Sequence, residues 1–381
     1  MEVYFDNAAT SWPKPESVYQ AADYFMRQVG ANPGRSGHTR SLSAGRILFH
    51  AREVVSTLFG CTHEDRIVFT LNATDSINMA MKGYLKAGDH VITSSMEHNA
   101  VMRPLMGLHH RGLIELTVVP CVPEGILAPE DIMSAIRSNT RMVVLTHASN
   151  VTGSIMPVAQ IGKLTREQGI CLLVDAAQTA GTVPIHVEEM GIDMLAFTGH
   201  KGLMGPQGTG GLYVREGIDL APWREGGTGS ISESDRHPEF FPDALEAGTP
   251  NTSGIAGLTA GIEYIFDQGI DRIRVHETEL SRKLWSGLIQ IPNVTVYGPH
   301  DRSQSVAVVS LCINGKDPAI VGHLLDTGYG VACRTGLHCA PHAHMTIGTY
   351  PTGTIRFSMG YFNSLDEVDY VIDAVSRIAF E

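Results

Sequence analysis

Cys171-Leu172-Leu173-Val174-Asp175-Ala176-Ala177-Gln178 runs from four apolar residues straight into a carboxylate, two alanines and an amide. An apolar run this short, bounded by polar residues, reads as a strand buried on both faces. Ile67-Val68-Phe69, Val91-Ile92, Val118-Val119 and Met142-Val143-Val144-Leu145 have the same texture, with helix-like stretches between them, such as Asp75 to Leu85 and Pro129 to Arg137. From residue 46 to about 215 that alternation predicts an α/β domain with a mostly parallel sheet. Ligands of such sheets collect beyond the carboxyl ends of the strands. The polar clusters fall there: Asn72 to Ser76, Glu97-His98-Asn99, Thr146 to Asn150, and Asp175 to Gln178.

Working outward, Asp6-Asn7-Ala8-Ala9-Thr10 and the prolines 13 and 15 precede a predicted helix from Glu16 to Gln28, and Gly30 to Gly37 reads as a polar loop. Glu216 to Asn251 lacks periodicity, and an excursion of that length is usually functional or mobile. From Gly254 two long helices are expected, roughly to Leu288. Strands at Val294 to Tyr297, Val306 to Ile313 and Thr354 to Met359, with helices at Pro318 to Asp326 and Leu365 to Ala379, then suggest a small α+β domain. The expected division is a large domain of residues 15–253 and a smaller one of 254–381 together with 1–14.

At 381 residues the chain is long enough for two domains. A composition 43% hydrophobic and 18% charged fits a packed globule. A formal net charge of −12 argues against nucleic acid or an anionic membrane as partner. No apolar run is long enough to span a bilayer, and the first residues lack a secretory pattern. Six cysteines without scaffold spacing fit reduced thiols and a cytoplasmic location.

Lys201 follows the apolar run Met194 to Phe197 and lies in Thr198-Gly199-His200-Lys201-Gly202. A lysine that must meet a carbonyl needs such a partly desolvated setting, where a neutral fraction exists; taken alone, a loop lysine is the commoner reading. Asp175, at the mouth of a dry strand, needs a cationic or hydrogen-bonding partner. It would cap a helix, or pair with a protonated pyridine nitrogen while Gln178 reaches the same ring. His98 is either a satisfied loop histidine or a ring lying over an aromatic cofactor. Ala73-Thr74-Asp75 opens a helix after a strand and so forms an anion site, to which Thr198 and His200 add donors. Lysine, aspartate, ring and helix N-terminus together meet the needs of pyridoxal 5′-phosphate.

Leu173 to Gln178, Thr198 to Lys201 and Glu246-Ala247-Gly248-Thr249-Pro250-Asn251-Thr252 resemble class V aminotransferase-family enzymes of fold type I, closest to cysteine desulfurases of the sulfur-mobilisation (Suf-type) group and selenocysteine lyases. The likeness runs from Asp6 to Arg356. It implies the PLP-dependent transferase fold, with a mostly parallel seven-stranded sheet plus a smaller α+β C-terminal domain. It further implies that Lys201 forms the Schiff base, Asp175 pairs with the ring nitrogen, Gln178 meets the ring hydroxyl and His98 stacks on the ring. Ala73, Thr74, Thr198 and His200 would hold the phosphate, and Thr249 the phosphate of the neighbouring subunit in a homodimer with shared sites. Asn150, Arg356, Arg334 and His38 are the implied substrate contacts.

Plain transaminases share the lysine and aspartate, so the reaction turns on Arg334-Thr335-Gly336-Leu337-His338-Cys339-Ala340-Pro341. Cys61, Cys121, Cys171 and Cys312 lie in or beside apolar runs and read as small buried hydrophobes, and Cys333 as structural. Cys339 sits instead in a Gly/Pro-bounded loop beside His338 and near Arg334, a setting that exposes and stabilises a thiolate. It resembles the cysteine that attacks the sulfur of L-cysteine, becomes a persulfide and passes the sulfur to an acceptor protein, and the likeness extends to a selenocysteine lyase acting on L-selenocysteine. Many relatives have His-His before this cysteine, whereas Leu337 precedes His338 here. No metal is expected: Pro341 separates His342 and His344 from Cys339, and no tetrahedral set exists. The competing reading is a transaminase or Cys–S lyase in which Cys339 is incidental.

Overall fold

The apolar runs line up as the interior of one sheet in a computed structural model, which describes residues 2–34 and 36–380. In chain order the first elements are β1 (Val3–Tyr4), α1 (Glu16–Tyr24), α2 (Thr39–Phe59), β2 (Ile67–Thr70), α3 (Ala73–Tyr84), β3 (Asp89–Ser94), α4 (Asn99–His110) and β4 (Ile114–Val119). There follow α5 (Pro129–Ser134), β5 (Thr140–Thr146), α6 (Val158–Glu167), β6 (Cys171–Asp175), β7 (Met194–Thr198) and β8 (Gly210–Val214). The remainder comprises α7 (Thr252–Gln268), α8 (Ile270–Leu288), β9 (Val294–Tyr297), β10 (Val308–Ile313) and α9 (Pro318–Tyr329), then β11 (Val331–Ala332), β12 (Arg334–Gly336), α10 (Pro341–Thr346), β13 (Thr354–Ser358) and α11 (Leu365–Phe380).

The large sheet has the order β2-β8-β7-β6-β5-β3-β4. Only β8 runs against the other six strands, because the short connection from β7 leaves no room for a crossover helix. Alternate residues of each strand serve opposite layers, as the period of two demands. Leu172 and Val174 pack with Ile161 and Ile262 on one face, while Cys171 and Leu173 pack with Ile77 and Met81 on the other. Chain order reverses between β3 and β5, so the switch-point crevice opens between Glu97-His98 and Asn150.

The second core is built on the antiparallel sheet β12-β13-β10-β9, covered by α8 and α11. Val3 and Phe5 belong to this core, and β1 pairs in parallel with β11. The predicted helix over Glu16 to Gln28 is α-helical only to Tyr24 and continues as a π turn to Val29. The helix expected from Asp75 begins at Ala73, because the Asn72 side chain accepts the Asp75 N–H at 3.0 Å and caps it. The helix expected to reach Arg137 stops at Ser134. Residues 216–251 contain neither helix nor strand. Their end is tied down by the half-buried Glu246 carboxylate, which pairs with Arg52 and accepts the Phe69 N–H at 2.7 Å.

Packing between α6 and the segment before β7 leaves no space for a side chain at Gly162. A methyl there would stand 2.0 Å from the Met190 carbonyl oxygen. Gly162→Ala is therefore expected to destabilise the protein by about 1–3 kcal/mol, seen as a lower denaturation midpoint at unchanged m-value.

Candidate active site

The carboxyl ends of β3, β5, β6 and β7 and the start of α3 converge on one cavity with about 480 Å³ of unfilled space, part of it open to solvent. Ala73, Thr74, His98, Asn150, Asp175, Gln178, Thr198, His200 and Lys201 all line it. Nine residues spread along more than a hundred positions of sequence thus meet as expected, because each terminates or follows a strand of the same sheet.

Asp175 is only 4% exposed; its Oδ1 accepts the Ala177 N–H at 2.9 Å. Burial pushes its carboxyl up, while that N–H and the Lys201 charge oppose the shift. Lys201 shows the complementary effect. Desolvation pushes its amine down to about 8, against the attraction of Asp175 and with help from the Arg356 and Arg334 charges. His98 caps α4, its Nδ1 accepting the Ala100 N–H at 3.1 Å. Burial, then the Lys201 and arginine charges, push it down to about 4, so the ring is neutral with its proton on Nε2.

The polar ends of the cavity fit an anion bearing an aromatic ring. Thr198 Oγ1 and His200 Nδ1 are buried without a hydrogen-bond partner, and both line the cavity beside the first turn of α3. Buried polar atoms without partners are costly, and a phosphate at this helix N-terminus would satisfy both. Glu97 was legible only as part of a polar cluster. It is fully buried and pushed up to about 8 by desolvation, with Asp175 adding and Ser94 opposing. It accepts Ser94 Oγ at 2.6 Å and the Thr146 N–H at 2.8 Å, tying together the ends of β3 and β5.

Arg356 lies on β13, fully buried. Its Nη1 donates to the Asn150 carbonyl at 3.1 Å, its Nη2 to Asp6 at 2.7 Å, and its Nε has no partner. Asp6 is a contact that sequence reasoning missed; no spacing signals a pair separated by most of the chain. Asn150 turns its amide the other way, donating to the His338 carbonyl at 2.7 Å, so it joins the arginine to the cysteine loop.

Cys339 is the one exposed cysteine; Cys171 is buried and Cys61, Cys121, Cys312 and Cys333 are half-buried. Burial pushes Cys61 and Cys333 up to about 12 and Cys121 to about 11, as suits inert thiols. His338 and Cys339 both adopt left-handed backbone, with φ of 49° and 58°, which non-glycine residues adopt at a cost. The loop is held there by the Cys339 carbonyl accepting the Asn99 N–H at 2.7 Å, at the start of α4 beside His98. The expectation that His338 supports the thiolate is corrected. Its ring is buried, bonds Thr354 at 3.0 Å and is pushed down to about 2 by burial and neighbouring charge, so it is neutral and brings no positive charge to the sulfur. Arg334, the other expected neighbour, does stand beside it, on β12 with Nη2 3.5 Å from the sulfur.

Arg334, Cys339 and Arg356 do not line this cavity themselves, and Arg356 and Cys339 are joined to it through Asn150 and Asn99; His38 and Thr249 stand apart from it. His38 is exposed and caps α2, its Nδ1 accepting the Ser41 N–H at 3.2 Å. Thr249 is exposed and accepts from Asn32 at 3.4 Å.

The sequence profile of the aminotransferase class-V family matches residues 3–371, and the chain belongs to that family. A probable cysteine desulfurase of Methanothermobacter thermautotrophicus is 35% identical over 383 residues, covering 99% of this chain and 94% of that one. The solved apo cysteine desulfurase of Thermococcus onnurineus superposes with a TM-score of 0.94 at 34% identity, over 100% of this chain and 95% of that one. The Escherichia coli cysteine desulfurase CsdA, in an S-sulfonic acid form, gives 0.88 at 30% identity, over 100% and 94%.

Proposed function

We propose that the chain is a pyridoxal 5′-phosphate-dependent cysteine desulfurase that moves the sulfur of L-cysteine onto Cys339 and releases L-alanine. Residues 15–253 form the cofactor-holding domain in this reading, and 254–381 with 1–14 the smaller one. The observation that carries it is an exposed cysteine whose loop is pinned, through Asn99 and Asn150, to the cavity that holds Lys201 and Asp175. The full-length similarity to proteins named cysteine desulfurases supports the same conclusion.

Thr198, His200, Thr74 and the first N–H groups of α3 would hold the phosphate, Asp175 the ring nitrogen, Gln178 the ring hydroxyl and His98 one ring face. When bound, the cofactor supplies an electron sink that makes the substrate's Cα proton acidic and its sulfur open to attack. Arg356 grips the substrate carboxylate with Asn150 beside it. Lys201, as a free neutral amine, takes the Cα proton. A new S–S bond then forms between Cys339 and the substrate sulfur as the substrate's C–S bond breaks. The electron pair stays with carbon, which takes up a proton and leaves as L-alanine. Arg334, 3.5 Å from Sγ, places positive charge against the attacking sulfur.

The exposed persulfide is then open to a sulfur-acceptor protein. His38 and Thr249, exposed and away from this cavity, suit the neighbouring site of a homodimer. Among the described residues no helix is long and apolar enough to cross a membrane. The cytoplasmic location we propose rests on the six free cysteines, which suit a reducing compartment. The test is to incubate the yellow holoprotein with L-cysteine, and separately with L-selenocysteine, and weigh the Cys339 peptide. One added sulfur and free L-alanine are expected from L-cysteine. A keto acid, or alanine with an unmodified Cys339, sinks the reading, and turnover of L-selenocysteine adds lyase activity to it.

A further inference from the structure

The backbone carbonyl of His200, immediately before Lys201, is crowded with donors from the N-terminal segment. It accepts the Ser11 N–H at 2.9 Å, Thr10 Oγ1 at 3.0 Å, Ser11 Oγ at 3.4 Å and Lys14 Nζ at 3.5 Å. A carbonyl oxygen has two lone pairs, so four donors on one oxygen mark a point where the segment is pressed onto the loop. Lys14 is the unusual member. It is half-buried between Pro13 and Pro15, and its other contacts are Ser11 O and Ser11 Oγ, both at 3.0 Å. Among the described residues no carboxylate compensates it, and desolvation alone pushes it down to about 8. An ammonium that gives up water for neutral acceptors gains no ion-pair energy in return; what it does gain is a fixed place for the oxygens it binds.

The loop has no slack on its other side. A methyl at Gly199 would stand 2.1 Å from Thr209 Oγ1, and one at Gly202 would stand 2.5 Å from the Ala180 carbonyl. The loop is therefore gripped between a packed floor and the N-terminal segment. The far end of that segment is itself anchored, through Asp6 to Arg356 at 2.7 Å and through Ala8, whose N–H donates to Ser358 Oγ at 2.9 Å.

We propose that Lys14 is a positioning residue for Lys201: with Thr10 and Ser11 it holds the His200 carbonyl, and so sets where the reactive amine stands. The inference rests on the reading of Lys201 as the cofactor-bearing amine. A displacement of about 1 Å in a reacting group costs on the order of a hundredfold in rate. Lys14→Met is accordingly expected to lower kcat by about ten- to a hundredfold while KM for L-cysteine stays within about twofold, because the Arg356 grip is untouched. The visible band that forms when pyridoxal 5′-phosphate is added to the apoprotein should grow in correspondingly more slowly. The melting temperature of the apoprotein should hold, and Lys14→Arg, which keeps a cationic donor, should recover most of both rates. If Lys14→Met does not fold, Thr10→Val removes a donor from the same carbonyl and is read by the same three measurements. Unchanged kcat and unchanged band growth overturn the proposal, as does a loss in which KM rises and melting temperature falls in step with kcat. Absence of a band in the unmutated protein would instead overturn the cofactor reading itself.

Discussion

Cys339→Ser is expected to abolish L-alanine release from L-cysteine, by at least about a thousandfold, while the holoprotein keeps its visible absorption. A serine hydroxyl at this place is a far weaker nucleophile than a thiolate and has no adjacent base to activate it. The histidine next in sequence, His338, has its ring on Thr354, and the charged group beside the sulfur, Arg334, can only donate. The substitution is close to isosteric, and the loop is held by backbone and Asn150 contacts that do not involve the sulfur. Cofactor binding and fold should therefore survive. Undiminished alanine production in a coupled assay would remove Cys339 from the reaction and leave a transaminase or lyase.

Lys201→Ala should cost about 10²–10⁴ in kcat, the usual contribution of a positioned proton-transfer group. It should also let the cofactor wash out on dialysis, since the covalent tether is lost. The unmutated lysine makes a pH prediction as well. With the amine lowered from the ordinary lysine value of about 10.5 to about 8 by burial, acylation of Lys201 in the cofactor-free protein should follow a titration near pH 8. An ordinary lysine would titrate more than two units higher. The linkage has a definite sign. Between about pH 8 and 10.5 the unfolded chain holds a proton that the folded one has released, so this group makes the apoprotein more stable as pH rises through that window. Comparing chemical denaturation of unmutated and Lys201→Ala apoprotein across that range reads the difference. A flat difference, with acylation near the ordinary lysine pH, would put Lys201 in water and out of the mechanism.

The cavity-lining residues were legible because each one ends or follows a short apolar run, and chain order alone puts the ends of parallel strands on one edge of a sheet. Asp175 and Lys201 announced themselves as ionisable groups at the mouths of dry strands. The role given to His338 failed for a reason no spacing reveals. Successive left-handed residues at 338 and 339 turn neighbouring side chains apart, sending the imidazole inward and the thiol outward. Arg334, on the adjacent strand β12, is left beside the sulfur. Asp6 was invisible in another way: its partner Arg356 is almost a full chain length away, and only the return of β1 to the C-terminal core brings them together.

The amino-acid order by itself determined the periodicity of the strands, the placing of polar residues at their ends, and hence the kind of sheet and the edge on which a ligand sits. Those are consequences of local burial, which a single run of side chains encodes. Tertiary structure alone decided the reversed direction of β8, the Asp6–Arg356 pair, the clamp on His200 and the turn of His338 away from the Cys339 sulfur. Each depends on where distant segments meet, and that is set by how two cores pack against one another rather than by any one stretch of chain.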